Sequence, residues 1–355
     1  MDNIQPTHVT IEKTLYGYLK GSPVYLIRLK NKNIIIDVTN IGCAITSIYT
    51  PDKNRLQKNI VAGYKDLKDY EQNDFYFGCV LGRYANRIAN GRFNLNGNEI
   101  TLFVNDGKNH LHGGNKGFNK KIWQIDNLIN TNNEVGVEFN YVSRDGEEGY
   151  PGNLFVKVKY TLNKDGQLII NYFAETDKST PVNLSNHTYF NLTGFEDNIL
   201  NHKLQVVSYS YTEKNIDNVP TGKILPLLNT VLDFTLPKKI GNNIDELKAD
   251  KGFDHNYILL DNVNKEVKWA AQLSETITGR VVNVYTNQPA IQLYTANFWD
   301  GSTIGQQKKP YIKHGGVALE TQAFPDSPNQ PNFPNTILNP GEQYLSTTIY
   351  EFKIE

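Results

Sequence analysis

Alternation with a period of two constrains this chain more than any other feature of it. Val135, Val137, Phe139 and Tyr141 alternate with other residues, as do Val156, Val158, Tyr160 and Leu162. Successive side chains of a strand point to opposite faces, so such runs bury one face each. The second run is followed by Asp165-Gly166 and then by Leu168 to Phe173, a hairpin with its turn written in the sequence. Asn96-Gly97 turns a second hairpin between Phe93 and Leu102. Further strands are expected at Ile34–Val38, Leu204–Val207, Val281–Tyr285, Ala290–Tyr294, Val317–Glu320 and Thr347–Phe352. Helical spacing is confined to Leu67–Gln72 and Ile244–Lys248. Strands joined by turns rather than long helices imply antiparallel sheets. No Pro/Gly/Ser-rich linker divides the chain and no period repeats. The expectation is therefore all-β: one large antiparallel β-sandwich domain over 1–355, its core roughly 14–353. Between Ala323 and Pro340 lie Pro325, Pro328, Pro331, Pro334 and Pro340, which forbid a central strand or a helix and predict a long ordered loop.

Composition narrows the function. Lys and Arg number 36 against 37 Asp and Glu, a net charge of −1, which argues against nucleic acid or an acidic membrane surface as partner. The 16 Phe, 21 Tyr and 3 Trp are ample for a core and exclude disorder. Two cysteines, Cys43 and Cys79, neither staple a chain this long nor build a cysteine zinc site; they read as buried thiols in a reducing compartment. No stretch approaches the ~18 apolar residues of a membrane span. Met1 to Pro6 lacks a basic region followed by an apolar run, so a cytoplasmic location is expected.

Five polar clusters carry candidate chemistry. His110-Leu111-His112-Gly113-Gly114 places two histidines on one face if it is a strand. That is a possible pair of metal ligands, but no neighbouring Cys, Asp or Glu completes a set. Asn183 to Leu192 interleaves hydrogen-bonding residues, His187 among them, with apolar ones. Such groups form either a structural network or a polyol-binding face. Its three Asn-x-Ser/Thr triplets, at Asn183, Asn186 and Asn191, are discounted as glycan sites. Gly316 to Glu320 ends an apolar run on a carboxylate. In apolar surroundings that acid would have a raised pKa suited to a general base; a solvated strand end is the plainer reading. Phe253 to Tyr257, with Asp254, and Gly82 to Arg87 complete the set; alone, Arg83 and Arg87 read as surface arginines. No Gly-x-x-x-x-Gly-Lys and no Gly-x-Gly-x-x-Gly between strand and helix is present.

Taken in order, Gly82 to Ile88, Leu111 to Gly114, Gly146 to Gly152, Asn186 to Leu192 and Gly316 to Glu320 resemble the aldose 1-epimerase, or galactose mutarotase, family. The resemblance runs from about Leu15 to Phe352 and implies the family's supersandwich fold with an open cleft. It also implies roles. Glu320 matches a general base and His187 a general acid. His112, Asn86, Arg87, Asp254 and Gln292 match residues that hold the sugar. The implied reaction opens and closes an aldohexose ring by proton transfer, with no metal and no cofactor. Its partner is a small-molecule sugar such as glucose or galactose. Rival readings are a hexose-6-phosphate epimerase of the same fold, with Arg83 and Arg87 as phosphate cations, and a sugar-binding protein without turnover. A His-x-His metal hydrolase and a glycoside hydrolase using Glu320 and Asp254 are further rivals.

Overall fold

The computed structural model describes residues 9–260 and 266–355; Met1 to Pro6 lies outside them. Three antiparallel sheets dominate. A five-stranded sheet is an N-terminal meander of Val9–Leu19, Ser22–Asn31, Ile35–Thr39, Ile45–Pro51 and Gln57–Asn59. A nine-stranded sheet runs Gln124–Asn130, Glu134–Ser143, Leu154–Asn163, Gln167–Thr176, Tyr344–Ile354, Arg280–Thr286, Lys268–Ser274, Lys203–Val206 and Lys238–Lys239. A six-stranded sheet runs Tyr189–Phe190, Val317–Gln322, Ala290–Tyr294, Asp254–Leu259, Ser208–Lys214 and Pro220–Pro226. The all-β sandwich expectation holds, and both hairpins form where their turn dipeptides stand.

The main core lies between these layers. Val156, Val158, Leu168 and Ile170 of the nine-stranded sheet share one cluster with Ile291, Leu293, Val317 and Leu319 of the six-stranded sheet and Ile27, Leu29 and Ile36 of the meander. The period of two then decides the site. With Val317, Leu319, Ile291 and Leu293 inward, Ala318, Glu320, Gln292 and Tyr294 point out of the other face. Register aligns them, with Asn256 opposite Gln292 opposite Glu320, and Asp254 opposite Tyr294 opposite Ala318 opposite Tyr189.

Leu67–Gln72 is the α-helix expected, whereas Ile244–Lys248 shrinks to a 3-10 turn over Ile244–Glu246. The proline-rich segment is an ordered loop with a short turn at Ser327–Asn329. It pairs with Thr180–Pro181 only over Ile337–Leu338. Cys43 and Cys79 are buried free thiols.

Candidate active site

The outward face of the six-stranded sheet supplies Glu320, Gln292 and Asp254; three loops close around it. Glu320, expected at a solvated strand end on the plainer reading, is instead 2% exposed within its strand. Val317 and Leu319 of the apolar run before it belong to the opposite face and say nothing about the acid's own surroundings. His187 follows the short strand Ser185–Asn186, and its backbone bonds Cys79 and Gly78. Those bonds bring its Nε2 to 3.6 Å from Glu320 Oε1. His187 Nδ1, Glu320 Oε2 and Gln292 Oε1 are buried and lack hydrogen-bond partners among the described residues. Buried polar groups are nearly always satisfied, so three orphans on one face mark a surface built to receive a polar ligand.

The loop Gly82 to Ile88 brings two more groups. Arg83 is buried. Its guanidinium donates to the carbonyls of Ser143, Arg144, Pro151 and Gly152 and to the hydroxyls of Ser143 and Thr180. It is a structural clamp, with both terminal nitrogens committed to protein oxygens and only a buried Nε–H left without a partner. Asn86 Oδ1 accepts the Arg87 N–H at 2.9 Å. Arg87 reaches over the sheet, its Nε 2.7 Å from Asp106 Oδ2 and its Nη1 3.9 Å from Asp254 Oδ2. Asp254 in turn accepts from Gln292 Nε2 at 2.6 Å.

His110 and His112 do not share a strand face. The strand ends at Leu111, and His112 adopts φ +51. The His110 ring turns into the protein, Nε2 2.6 Å from the Tyr150 hydroxyl and Nδ1 2.6 Å from the Phe103 carbonyl. The His112 ring turns toward His187, their centroids 5.4 Å apart. His112 Nδ1 accepts the Asn86 N–H at 3.1 Å, so its proton sits on Nε2.

That tautomer bears on the metal ligands raised by the sequence. His112, His187 and Glu320 each offer a ligand atom, all within 4.8 Å of one another. A His112 Nε2 that carries the ring proton has no lone pair to give, and the two remaining ligands fall short of the three a catalytic zinc needs.

Burial sets the titration of the pair. It raises the Glu320 carboxyl well above the ordinary range, Asp254 adding to the rise and Arg87 opposing it. It lowers His187 to about 4, against a smaller opposing pull from Asp254. Burial likewise holds His112 neutral, with His187 and Arg87 reinforcing it.

Tyr76 was not singled out from the sequence. Its ring lies near-parallel to His187 at 5.9 Å and edge-on to His112 at 4.6 Å. Tyr189 and Tyr294 pack around His187 as well. The signal for Tyr76 was the aromatic triplet Phe75-Tyr76-Phe77; nothing local marked Asp106, which reads as an ordinary turn residue. Asn183, Asn186 and Asn191 are all buried, in keeping with the rejection of glycan attachment.

An all-β sandwich carrying a buried Glu–His pair in an open polar face is the class this geometry defines. A family model for aldose 1-epimerases matches residues 25–351. Galactose mutarotase of Mus musculus is 42% identical over 349 residues, covering 98% of this chain and 99% of its own. Aldose 1-epimerase of Escherichia coli K12 is 36% identical over 341 residues, 94% and 97% of the two chains. The crystal structure of galactose 1-epimerase from Lactobacillus acidophilus superposes with a TM-score of 0.86 at 26% identity, covering 98% of this chain and 99% of that one. The chain belongs to the aldose 1-epimerase family.

Proposed function

We propose that this protein interconverts the α and β anomers of free aldohexoses such as glucose and galactose. Glu320 acts as general base and His187 as general acid. One observation carries the reading: the buried Glu320–His187 pair at 3.6 Å, each partner keeping an orphan polar atom. Glu320 takes the proton of the anomeric O1 hydroxyl while His187 gives one to the ring oxygen O5. The C1–O5 bond breaks, the aldehyde rotates about C1–C2, and the same transfers run backward to close the ring on the other face. Nothing is oxidised or reduced, and no covalent enzyme intermediate is needed.

In the free site burial favours the shared proton on Glu320 rather than His187. A sugar reverses that order. Its O1 hydroxyl donates to the carboxylate and stabilises the anion, while O5 accepts from the imidazolium. Substrate thus selects the productive arrangement of one proton. Asn86, Arg87, His112, Asp254 and Gln292 hold the remaining hydroxyls, His112 as a neutral Nε2–H donor.

The whole chain acts as one unit on a small-molecule sugar in the cytoplasm, with neither nucleic acid nor membrane as partner. The near-zero net charge supports this, and among the described residues no helix is long and apolar enough to cross a membrane. The test is polarimetry on freshly dissolved α-glucose and α-galactose. Relaxation faster than the uncatalysed rate, unchanged after dialysis against a chelator, is expected. No acceleration on any free aldose overturns the reading, and a loss restored by zinc overturns its metal-free chemistry.

A further inference from the structure

Asp106 sits in a tight turn. The N–H groups of Asn105 and Asp106 donate to the Asn109 carbonyl, and the Asn109 N–H donates back to the Asp106 carbonyl. That closure aims the Asp106 carboxylate at Arg87, a contact of 2.7 Å. The Arg87 side chain is 13% exposed and faces Asp254 on its other flank. One guanidinium therefore meets two carboxylates. Arg87, Asp106 and Asp254 sum to −1, and the Glu320–His187 pair, sharing one proton, adds no net charge. Two nearby cations have acidic partners of their own, although Lys214 still acts on Asp254. Lys214 is paired with Asp250 at 2.8 Å, and Lys108, two residues beyond Asp106, is turned to Asp217 at 2.8 Å.

We propose that Asp106 is a specificity-determining residue. By pairing with Arg87 it cancels the guanidinium's charge and makes the cleft select neutral aldoses over aldoses that carry an acidic group. The proposal rests on the anomer-converting reading above and deepens it. A carboxylate or phosphate on the sugar meets the Asp106, Asp254 and Glu320 carboxylates wherever its charge falls in the cleft, and it finds Arg87 already occupied. Removing the Asp106 charge relieves both obstacles. The guanidinium gains a free edge, and the net charge moves one unit toward neutral.

The experiment compares galactose with galacturonate, which keeps the ring and the C4 configuration but carries a carboxylate in place of the C6 hydroxymethyl. kcat/KM for each sugar is measured on the wild type, Asp106→Asn and Asp106→Glu, with folding checked by circular dichroism; Asp106→Ser replaces the Asn variant if that fails to fold. Asp106→Asn is expected to raise the galacturonate-to-galactose ratio about tenfold, the effect of one charge at close range in a partly buried site. Asp106→Glu, which keeps the charge, stays within about threefold of wild type on the same reasoning. A ratio in folded Asp106→Asn that stays within about twofold of wild type overturns the proposal. So does an equal shift in Asp106→Glu. If the wild type binds but does not turn over galactose, the anomer-converting reading fails. Calorimetric affinities for the two sugars in the same proteins then report the same ratio and still decide the role of Asp106. Binding of neither sugar overturns both.

Discussion

Glu320 and His187 differ from every other acid and histidine of the cleft in keeping an unpartnered polar atom, and that difference fixes what mutation does. Glu320→Gln preserves shape but cannot accept a proton; His187→Asn preserves a hydrogen-bonding group but cannot cycle one. Each is expected to cost about 10²–10⁴ in kcat by polarimetry, while the double variant loses far less than the product, because the transfers act as a unit. The pH profile of kcat/KM in the wild type is expected to be bell-shaped. Its acid limb belongs to His187, held below its ordinary value, and its alkaline limb to Glu320, held above. A folded Glu320→Gln that keeps more than about a tenth of wild-type kcat would pass the base to Asp254. On the proposed reading, Arg87→Ala should raise KM and lower kcat together, roughly tenfold to a hundredfold in kcat/KM, since a guanidinium held between Asp106 and Asp254 would position the sugar as well as bind it. Unchanged kinetics would leave Arg87 only a structural role between the two carboxylates. At this scale the sequence is an uneven guide. Glu320 was legible as an acid able to take up a proton and its burial was not, because alternation hides which face of a strand meets solvent. Arg83 is the converse, a charged residue that sequence places at the surface and four backbone carbonyls hold inside.

The loops that carry His112 and Arg87 are joined where Gly113 meets Gly82. Gly113 has φ +91, and a Cβ there would overlap the Gly82 carbonyl oxygen. Gly113→Ala must therefore strain its backbone and push the two loops apart. The expected cost is about 2–5 kcal/mol of stability in denaturant titration, with kcat lowered in whatever fraction folds. Full stability in that variant would show that the loops are not coupled there. What approaches Gly113 is not written in the local sequence. Elements themselves were legible wherever strands are long and alternating, as in Leu154–Asn163 and Gln167–Thr176 with Asp165-Gly166 between them. Their order was not. Tyr344–Ile354 lies between Gln167–Thr176 and Arg280–Thr286, pairings that no local pattern encodes. Two-residue strands such as His110–Leu111 and Ser185–Asn186 were likewise out of reach, being held by tertiary partners rather than by propensity.

Among the described residues the buried histidines are held neutral, most of them as hydrogen-bonding groups, and this couples stability to pH. His112, His202 and His255 each accept a backbone N–H on a ring nitrogen, from Asn86, Leu192 and Asp254 respectively, a bond that protonation of that nitrogen would break. Burial lowers His110, His187 and His202 to about 4 and His255 to about 3. A histidine whose folded pKa is depressed binds protons more readily when unfolded. Its stabilisation is complete above the unfolded value of ~6.5 and is lost as pH falls toward the folded value. Glu320 works the other way. Its folded pKa is raised, so acidification from neutral pH favours the folded protein and offsets part of the loss. The histidines outnumber it, and the net loss between pH 7 and pH 5 should be about 3–6 kcal/mol, which for a chain of this size lowers Tm by roughly 5 °C. Glu320→Gln removes the opposing group and should steepen the fall. Calorimetric scans of both proteins from pH 7 to pH 5 provide the check. A Tm that stays level or rises on acidification would mean that the buried rings take up protons without loss of their backbone bonds, against the geometry that holds them neutral.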